Sequence, residues 1–152
     1  MRTEPSTRSD EARRAARAAA LEASGERRRI AVLEREWSRY KYAVLEHSAR
    51  LYESIRALLK DKSGYPAAEF YRLIDLALAT PSAPQAKANA AAHVWGYFKN
   101  VATDEEAEEY RGLMASFLDG ETEIRILKRF LWRMAVARDV AYLIDSEYFA
   151  DR

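Results

Sequence analysis

The chain has 152 residues, of which 49% are apolar and 32% are charged, with five glycines, four prolines and no cysteine. The length suffices for one domain with a substantial core, and the scarcity of turn residues favours an all-α fold over a β-sandwich or barrel. The lack of cysteine excludes disulfides, thiolate nucleophiles and cysteine-held iron–sulfur clusters. No apolar run is long enough for a membrane span or a signal peptide, so we expect a cytoplasmic protein that does not associate with membranes.

The net charge of +1 conceals two neighbouring segments of opposite sign. Residues 101–123 carry eight acids and a single base, Arg111. Residues 125–138 carry no acid and five bases, namely Arg125, Lys128, Arg129, Arg133 and Arg138. A basic segment of this kind favours a polyanionic partner, so its surface matters more for binding than the total charge does.

Residues 1–29 are predicted to form a basic N-terminal arm that precedes a domain over residues 30–152. Met1 to about Asp10 lack large apolar side chains and are expected to be disordered. From an N-cap at Ser9 or Asp10, the alanine- and arginine-rich sequence has strong helix propensity but little with which to hold a core. Its arginines make the arm a candidate phosphate-contacting tail, with a solvated and partly frayed helix as the alternative; they stand at positions 8, 13, 14, 17, 27, 28 and 29.

Apolar residues recur at three- and four-residue steps from Ile30, which predicts one amphipathic helix that continues to about Lys60. A second helix is expected over residues 67–79. The prolines that follow it place Gln85 or Ala86 in the first turn of a third helix.

Thr103, followed three residues later by Glu106, is a capping-box pattern and predicts the start of a fourth helix. A fifth helix is expected from about Thr122 to Arg138, with Arg125, Lys128, Arg129 and Arg133 on its outward face. The apolar residues of 139–149 suit a short last helix. We therefore expect a compact all-α bundle of about five to six helices with a flexible or helical basic arm.

The segment over residues 89–99 carries a candidate binding site. If it is helical, Asn89, His93 and Tyr97 fall on one face at four-residue steps. Gly96 costs such a helix roughly 1 kcal/mol relative to alanine, so a close neighbour is expected there. The three side chains suit hydrogen bonding and stacking on an unpaired base, and Lys99 is placed to hold a phosphate. The alternative is a helix–helix contact in which the amide and the imidazole satisfy each other.

Basic and aromatic residues also alternate on the predicted first helix, where Lys41 is the central basic residue. Surfaces that bind single-stranded nucleic acid use charge for phosphates and rings for base stacking. The alternative is that the rings face the core while the arginines extend around them. The basic residues are Arg35, Arg39, Lys41, Arg50 and Arg56, and the aromatic residues are Trp37, Tyr40, Tyr42 and Tyr52.

The chain has two histidines, His47 and His93. A metal site that combines them with a carboxylate is conceivable, but neither shows a His-x-x-x-His or Glu-x-x-His spacing, so we assign no metal ligand and no cofactor. An imidazole titrates near neutral pH and is suited to acid–base catalysis. No adjacent nucleophile or paired carboxylate supports that role, so we assign no catalytic residue.

Three segments resemble the YbgA-like domain, a family of unknown function, over roughly residues 34–149. Lys41-Tyr42, Leu45, His47-Ser48 and Tyr52 resemble its Lys-Tyr-x-x-Leu-x-His-Ser-Pro-x-x-Tyr motif. Residues 89–99 are similar to its Asn-Val-Leu-x-His-x-x-Gly-Tyr-Phe-Lys motif. Tyr142-Leu143 and Tyr148-Phe149 resemble its closing Tyr-Leu-x-x-Gln-x-Tyr-Leu motif. The chain departs from the family pattern at Trp37, Tyr40, Ala49 and Ser146.

Many relatives carry this domain fused to a thiouracil desulfidase domain that acts on thiolated uridine in transfer RNA. The resemblance therefore implies a non-catalytic accessory domain that helps to engage RNA, in the first place transfer RNA. A chain without cysteine cannot itself hold the desulfidase cluster. The residues expected to contact RNA are Lys41, His47, Tyr52, Asn89, His93, Tyr97, Lys99, Arg125, Lys128, Arg129 and Arg133.

Two alternatives to RNA binding remain open. One is a small enzyme that acts on a nucleotide-like substrate, with His93 or His47 as the acid–base group. The other is a helical protein-interaction module that pairs with a separately encoded desulfidase or repair enzyme.

Overall fold

The computed structural model describes residues 4–152, and every regular element in that range is helical. The expected disorder of Met1 to Asp10 lies partly outside these residues, at positions 1–3. No helix within residues 4–152 is long and apolar enough to cross a membrane. In chain order the helices are α1 (Asp10–Glu22), α2 (Ile30–His47), α3 (Ala49–Leu58), α4 (Ala67–Ala79), α5 (Pro84–Trp95), α6 (Asp104–Leu118), α7 (Ile124–Ala137) and α8 (Ala141–Ile144), with 3-10 turns at Gly25–Arg27 and Glu147–Phe149.

Helix α2 lies at the centre, because two apolar clusters share it. Val44 belongs to the cluster formed with α3 and α4, and the next residue, Leu45, belongs to the cluster formed with α5, α7 and the C-terminal segment. Successive residues of a helix point about 100° apart, so one helix can face two clusters. The all-α prediction is confirmed, and the buried centres of the two clusters include Leu33, Ile55, Phe70 and Ile74 on one side and Val94, Phe98, Leu131 and Phe149 on the other.

The prediction of one helix from Ile30 to about Lys60 is wrong, because the chain breaks at Ser48. Ser48 has extended backbone angles, φ −158° and ψ 107°, and its hydroxyl accepts a hydrogen bond of 3.1 Å from the backbone N–H of Leu51. A serine side chain that caps a new helix in this way competes with continuation of the old one. The apolar repeat resumes in α3, so periodicity alone does not reveal the break.

Other helix ends follow the predicted capping chemistry. Helix α4 has the predicted bounds, and α5 begins with Pro84 in its first turn, where a missing N–H costs nothing. At the start of α6, Thr103 and Glu106 form the predicted capping box, in which each side chain bonds the backbone N–H of the other.

The N-terminal arm is helical and packs on the body of the protein through ion pairs. Ala20 is the buried residue of α1. Arg8 pairs with Glu36 and lies 3.6 Å from Glu147, Arg13 pairs with Glu147, and Arg17 makes two bonds of 2.7 Å to Asp75. The expected disorder therefore does not extend to Arg8, and three arginines of the predicted phosphate-contacting tail are held by carboxylates instead. The division into an arm and a domain stays a prediction.

A buried ion pair joins α2 to α7 and to the C-terminal segment. The Lys128 Nζ lies 2.6 Å from Glu46 Oε2 and 2.7 Å from Asp151 Oδ1, and it donates a 3.0 Å hydrogen bond to the carbonyl oxygen of Tyr148. Burial raises the pKa of Glu46, and the Lys128 ammonium offsets part of that rise. The predicted outward position of Lys128 is wrong, since the residue is only 2% exposed.

We expect Lys128→Ala to destabilise the protein by about 3 to 5 kcal/mol, because it leaves the buried Glu46 carboxylate without its cation. Chemical denaturation of the variant and of the wild type measures the difference. Arg129→Ala removes the neighbouring, exposed charge and should change the free energy of unfolding by less than about 0.5 kcal/mol. A Lys128→Ala variant as stable as Arg129→Ala would contradict a structural role for the pair.

A second ion pair predicts acid sensitivity of the contact between α6 and α7. Arg138 binds Glu106 through two bonds of 2.6 and 3.0 Å, and these bonds, with those from Thr103, lower the pKa of Glu106 to about 2. A lowered pKa stabilises the fold above the carboxyl's ordinary range, and this contribution is lost as the pH falls from about 4.5 towards 2. On acidification over this range, the melting temperature of Arg138→Gln should therefore fall less than that of the wild type. The melting temperature of Arg125→Gln should fall as much as that of the wild type.

Candidate functional site

The predicted stripe on α5 is open to solvent. Asn89 and His93 are exposed on the helix, and Tyr97, just beyond its end at Trp95, is 39% exposed. The alternative of an amide–imidazole pair inside a helix–helix contact is therefore wrong. A side chain at Gly96 would place its Cβ 3.0 Å from the carbonyl oxygen of His93, so the close neighbour expected at this glycine is the preceding turn itself.

Tyr97 joins the stripe to two other tyrosines. Its hydroxyl lies 2.9 Å from the hydroxyl of Tyr42, and its ring stacks on Tyr142 with centroids 5.9 Å apart and planes 25° apart. Tyr42 is buried, and burial together with the bond to Tyr97 raises the pKa of its phenol. Tyr42 therefore stays neutral and holds Tyr97 in place, while Tyr97 and Tyr142 keep exposed ring surface.

Lys41 is held between the rings of Tyr42 and Tyr142. Its Nζ lies 5.0 and 5.1 Å from their centroids, within the range of a cation–π contact. Burial lowers the pKa of Lys41, but hydrogen bonding to Tyr142 and the nearby phenol oxygens outweigh it, so the pKa ends above its ordinary value. No carboxylate in residues 4–152 lies within 4.0 Å of this ammonium. The site therefore presents a fixed positive charge beside exposed rings.

Lys41 and Tyr142 line an open groove of about 250 Å³. Trp37 and Tyr142 supply its rings, and Glu34 is its one carboxylate. Four basic side chains line it: Lys41, Arg56, Lys60 and Lys62. Arg56 pairs with Glu53 at 3.2 Å and Lys62 pairs with Glu34 at 3.4 Å, so Lys41 and Lys60 carry the uncompensated charge of this groove in the described chain.

Sequence reasoning identified Lys41 and Arg56 in this groove but missed Lys60, Lys62 and Tyr142 as binding residues. Tyr142 stood in the closing motif of the resembled family, which was a usable signal. Lys60 and Lys62 follow the end of α3, and nothing in their spacing indicated that the chain turns back towards Lys41. Tyr52, a predicted site residue, is half-buried beside the groove, with its ring 5.4 Å from Trp37 and the Arg56 guanidinium 5.8 Å from its centroid.

The predicted basic stripe on α7 is largely compensated by acids. Arg125 pairs with Glu123 at 3.0 Å, and Arg133 pairs with Glu109 of α6 at 3.3 Å. Lys128 is buried, which leaves Arg129 as the exposed base of the set without a carboxylate within 4.0 Å in residues 4–152. The prediction of a stripe without compensating acids is therefore wrong, because the acids of residues 101–123 fold back against it.

The two histidines lie in different surroundings. His93 is exposed on α5, and His47 lines a larger cleft of about 460 Å³ beneath α1. The His47 Nδ1 lies 2.7 Å from the carbonyl oxygen of Thr80 and must donate to it, because a carbonyl only accepts. No cluster of three or more potential metal ligands occurs in residues 4–152.

The larger cleft is a weaker candidate than the groove, because most of its charged groups are already paired with one another. Examples are Arg17 with Asp75 and Lys128 with Glu46, whereas Arg14 is an exposed base of this cleft without a carboxylate within 4.0 Å in residues 4–152. Lys99, another residue of the predicted RNA-binding set, is exposed in the turn after α5.

Of the predicted RNA-binding residues, the described contacts bring together Lys41, Tyr52 and Tyr97.

Comparison with known proteins gives one match. The family described as "Protein of unknown function (DUF1722)" matches residues 41–151, which is more than half of the chain and confirms the YbgA-like resemblance. Curated proteins and solved structures give no match. The matched range contains Lys41, Tyr97, Tyr142 and most of the groove, whereas the N-terminal arm lies outside it.

We expect Tyr97→Phe to destabilise the protein by about 1 to 3 kcal/mol, because it leaves the buried hydroxyl of Tyr42 without a partner. Tyr110→Phe removes the hydroxyl of a half-buried ring, which makes no hydrogen bond within residues 4–152, and serves as the matched control. Chemical denaturation of both variants distinguishes the two effects. Equal stabilities would show that the bond between Tyr42 and Tyr97 does not hold the cluster together.

Proposed function

Because the chain belongs to the DUF1722 family, whose function is unknown, we propose its function from its own surface: it is an RNA-binding accessory domain without catalytic activity. One observation carries the proposal. The Lys41 ammonium is held by Tyr42 and Tyr142, lacks a carboxylate partner in the described chain, and lies beside exposed aromatic rings.

The phosphate contacts of the proposed complex come from the groove rather than from α7. Lys41 and Lys60 are free of carboxylates within 4.0 Å in residues 4–152, so a phosphate need not displace an existing ion pair. Arg56 and Lys62 are paired but exposed, and exposed pairs contribute little, so they can exchange a carboxylate for a phosphate at small cost. Neutralised phosphates release counterions, which makes such binding weaken with salt.

The base contacts come from Tyr97 and Tyr142, whose rings are 39% and 38% exposed. Aromatic side chains bind unstacked bases through their faces. His93 and Asn89 continue the exposed surface along α5, one and two helical turns before Tyr97, and add hydrogen-bonding groups. Together these residues form a surface on which charge and aromatic rings alternate.

Transfer RNA is the proposed ligand class, because the family resemblance implies a context of thiolated-uridine metabolism. The proposal includes a cytoplasmic location, because transfer RNA occurs there. It also includes a protein partner that carries a desulfidase activity, since these 152 residues contain no cysteine to hold an iron–sulfur cluster. The domain would then supply RNA binding while the partner supplies the chemistry.

We expect Lys41→Gln with Lys60→Gln to weaken binding of transfer RNA and to flatten its salt dependence. Each lost phosphate contact should reduce the slope of log affinity against log salt by about 0.7 to 0.9. Fluorescence anisotropy at salt concentrations from about 50 to 200 mM measures both quantities.

The control is Arg72→Gln with Arg125→Gln, which changes the net charge equally but removes exposed guanidinium groups that do not line the groove. This variant should bind nearly as the wild type does. Equal losses of affinity in the two variants would show that only net charge matters. Wild-type binding that is absent or independent of salt would contradict the proposed function.

A further inference from the structure

The groove beside Lys41 is small, basic and open to solvent. Its volume of about 250 Å³ lies below the roughly 300 to 1,000 Å³ of pockets that enclose drug-sized ligands. Its uncompensated charges, Lys41 and Lys60, line the same groove as the ring of Tyr142. A ligand that satisfies both features carries an anionic group and a flat aromatic group within one small unit.

We propose, building on RNA binding, that this groove selects an unpaired nucleotide, with its base on the ring of Tyr142 and its phosphate at Lys41 and Lys60. The Tyr142 ring is already positioned, because it stacks on Tyr97 and lies over the Lys41 ammonium, and it is still 38% exposed. A prepositioned ring loses little entropy on binding, so its exposed surface is suited to stacking on a base.

Base pairing decides which RNA fits. In an A-form duplex the base faces are stacked on one another, and a protein reaches only edges, sugars and phosphates. An exposed tyrosine can therefore stack only on a base that is unpaired, as in a loop, a bulge or an end. The cations alone give no preference for a single strand, because a duplex has the higher charge density, so the ring confers the selectivity.

Three labelled ligands with equal numbers of phosphates test this selectivity by anisotropy. They are a single-stranded RNA of about sixteen nucleotides, an oligomer of the same length with abasic residues, and a GC-rich duplex of about eight base pairs. A base stack is worth about 1 to 3 kcal/mol, which corresponds to roughly 5- to 150-fold in affinity. The single strand should bind the wild-type protein tighter than the abasic oligomer by a factor in this range, and also tighter than the duplex.

Two variants assign the preference to Tyr142. Tyr142→Ala should reduce the preference for the normal over the abasic strand to what the Tyr97 ring alone contributes, whereas Tyr142→Phe keeps the ring and should retain the full preference. A strand with 2-aminopurine gives a measurement on the wild type alone, because stacking on the protein quenches its fluorescence.

The outcomes separate this inference from the proposed function. Equal binding of the normal and abasic strands, with salt-dependent binding of both, would overturn the selection of an unpaired nucleotide and leave RNA binding intact. A preference that Tyr142→Ala retains in full would overturn the assignment to this ring. Failure of all three ligands and of transfer RNA to bind would overturn both.

Discussion

The buried ion pair between Glu46 and Lys128 fixes the C-terminal segment on α2, and the candidate site depends on that position. Burying two charges is costly unless every polar contact is satisfied. Here the three N–H groups of Lys128 meet Glu46, Asp151 and the carbonyl of Tyr148, so α2, α7 and the chain end are joined at one atom. The segment held in this way also contains Tyr142, whose ring covers Lys41.

Helix α2 distributes consecutive residues to three different surfaces. Tyr40 lines the cleft beneath α1, Lys41 lines the basic groove, and Tyr42 contacts Tyr97 at the end of α5. The rotation of about 100° per residue makes this possible within one turn. The arm and the groove do not share charges. The arginines of the arm meet Glu36, Glu147 and Asp75, whereas Lys41 and Lys60 line the groove without a carboxylate partner in residues 4–152.

Local chemistry could be predicted from the sequence, and long-range pairing could not. The capping box at Thr103 and the start of α5 at Pro84 follow from residue type and spacing over a few positions, whereas spacing alone left the burial of Tyr97 open. The burial of Lys128 depends on Glu46, 82 positions away, and the compensation of Arg133 depends on how α6 packs on α7. The break at Ser48 was missed because the apolar repeat continues across it. Tyr142 lies in the site only because the C-terminal segment folds onto α2, which its sequence position did not indicate.

The central claim is that RNA lies on the surface formed by Lys41, Tyr97 and Tyr142, and the most direct measurement of it is ultraviolet crosslinking. Transfer RNA is irradiated in complex with the unmodified chain, and mass spectrometry identifies the peptides that retain a nucleotide. We predict nucleotide adducts on the peptides that contain these three residues. Adducts confined to the arm helix α1 or to the segment from Arg125 to Arg133 would contradict the claim and assign RNA binding to another face of the molecule.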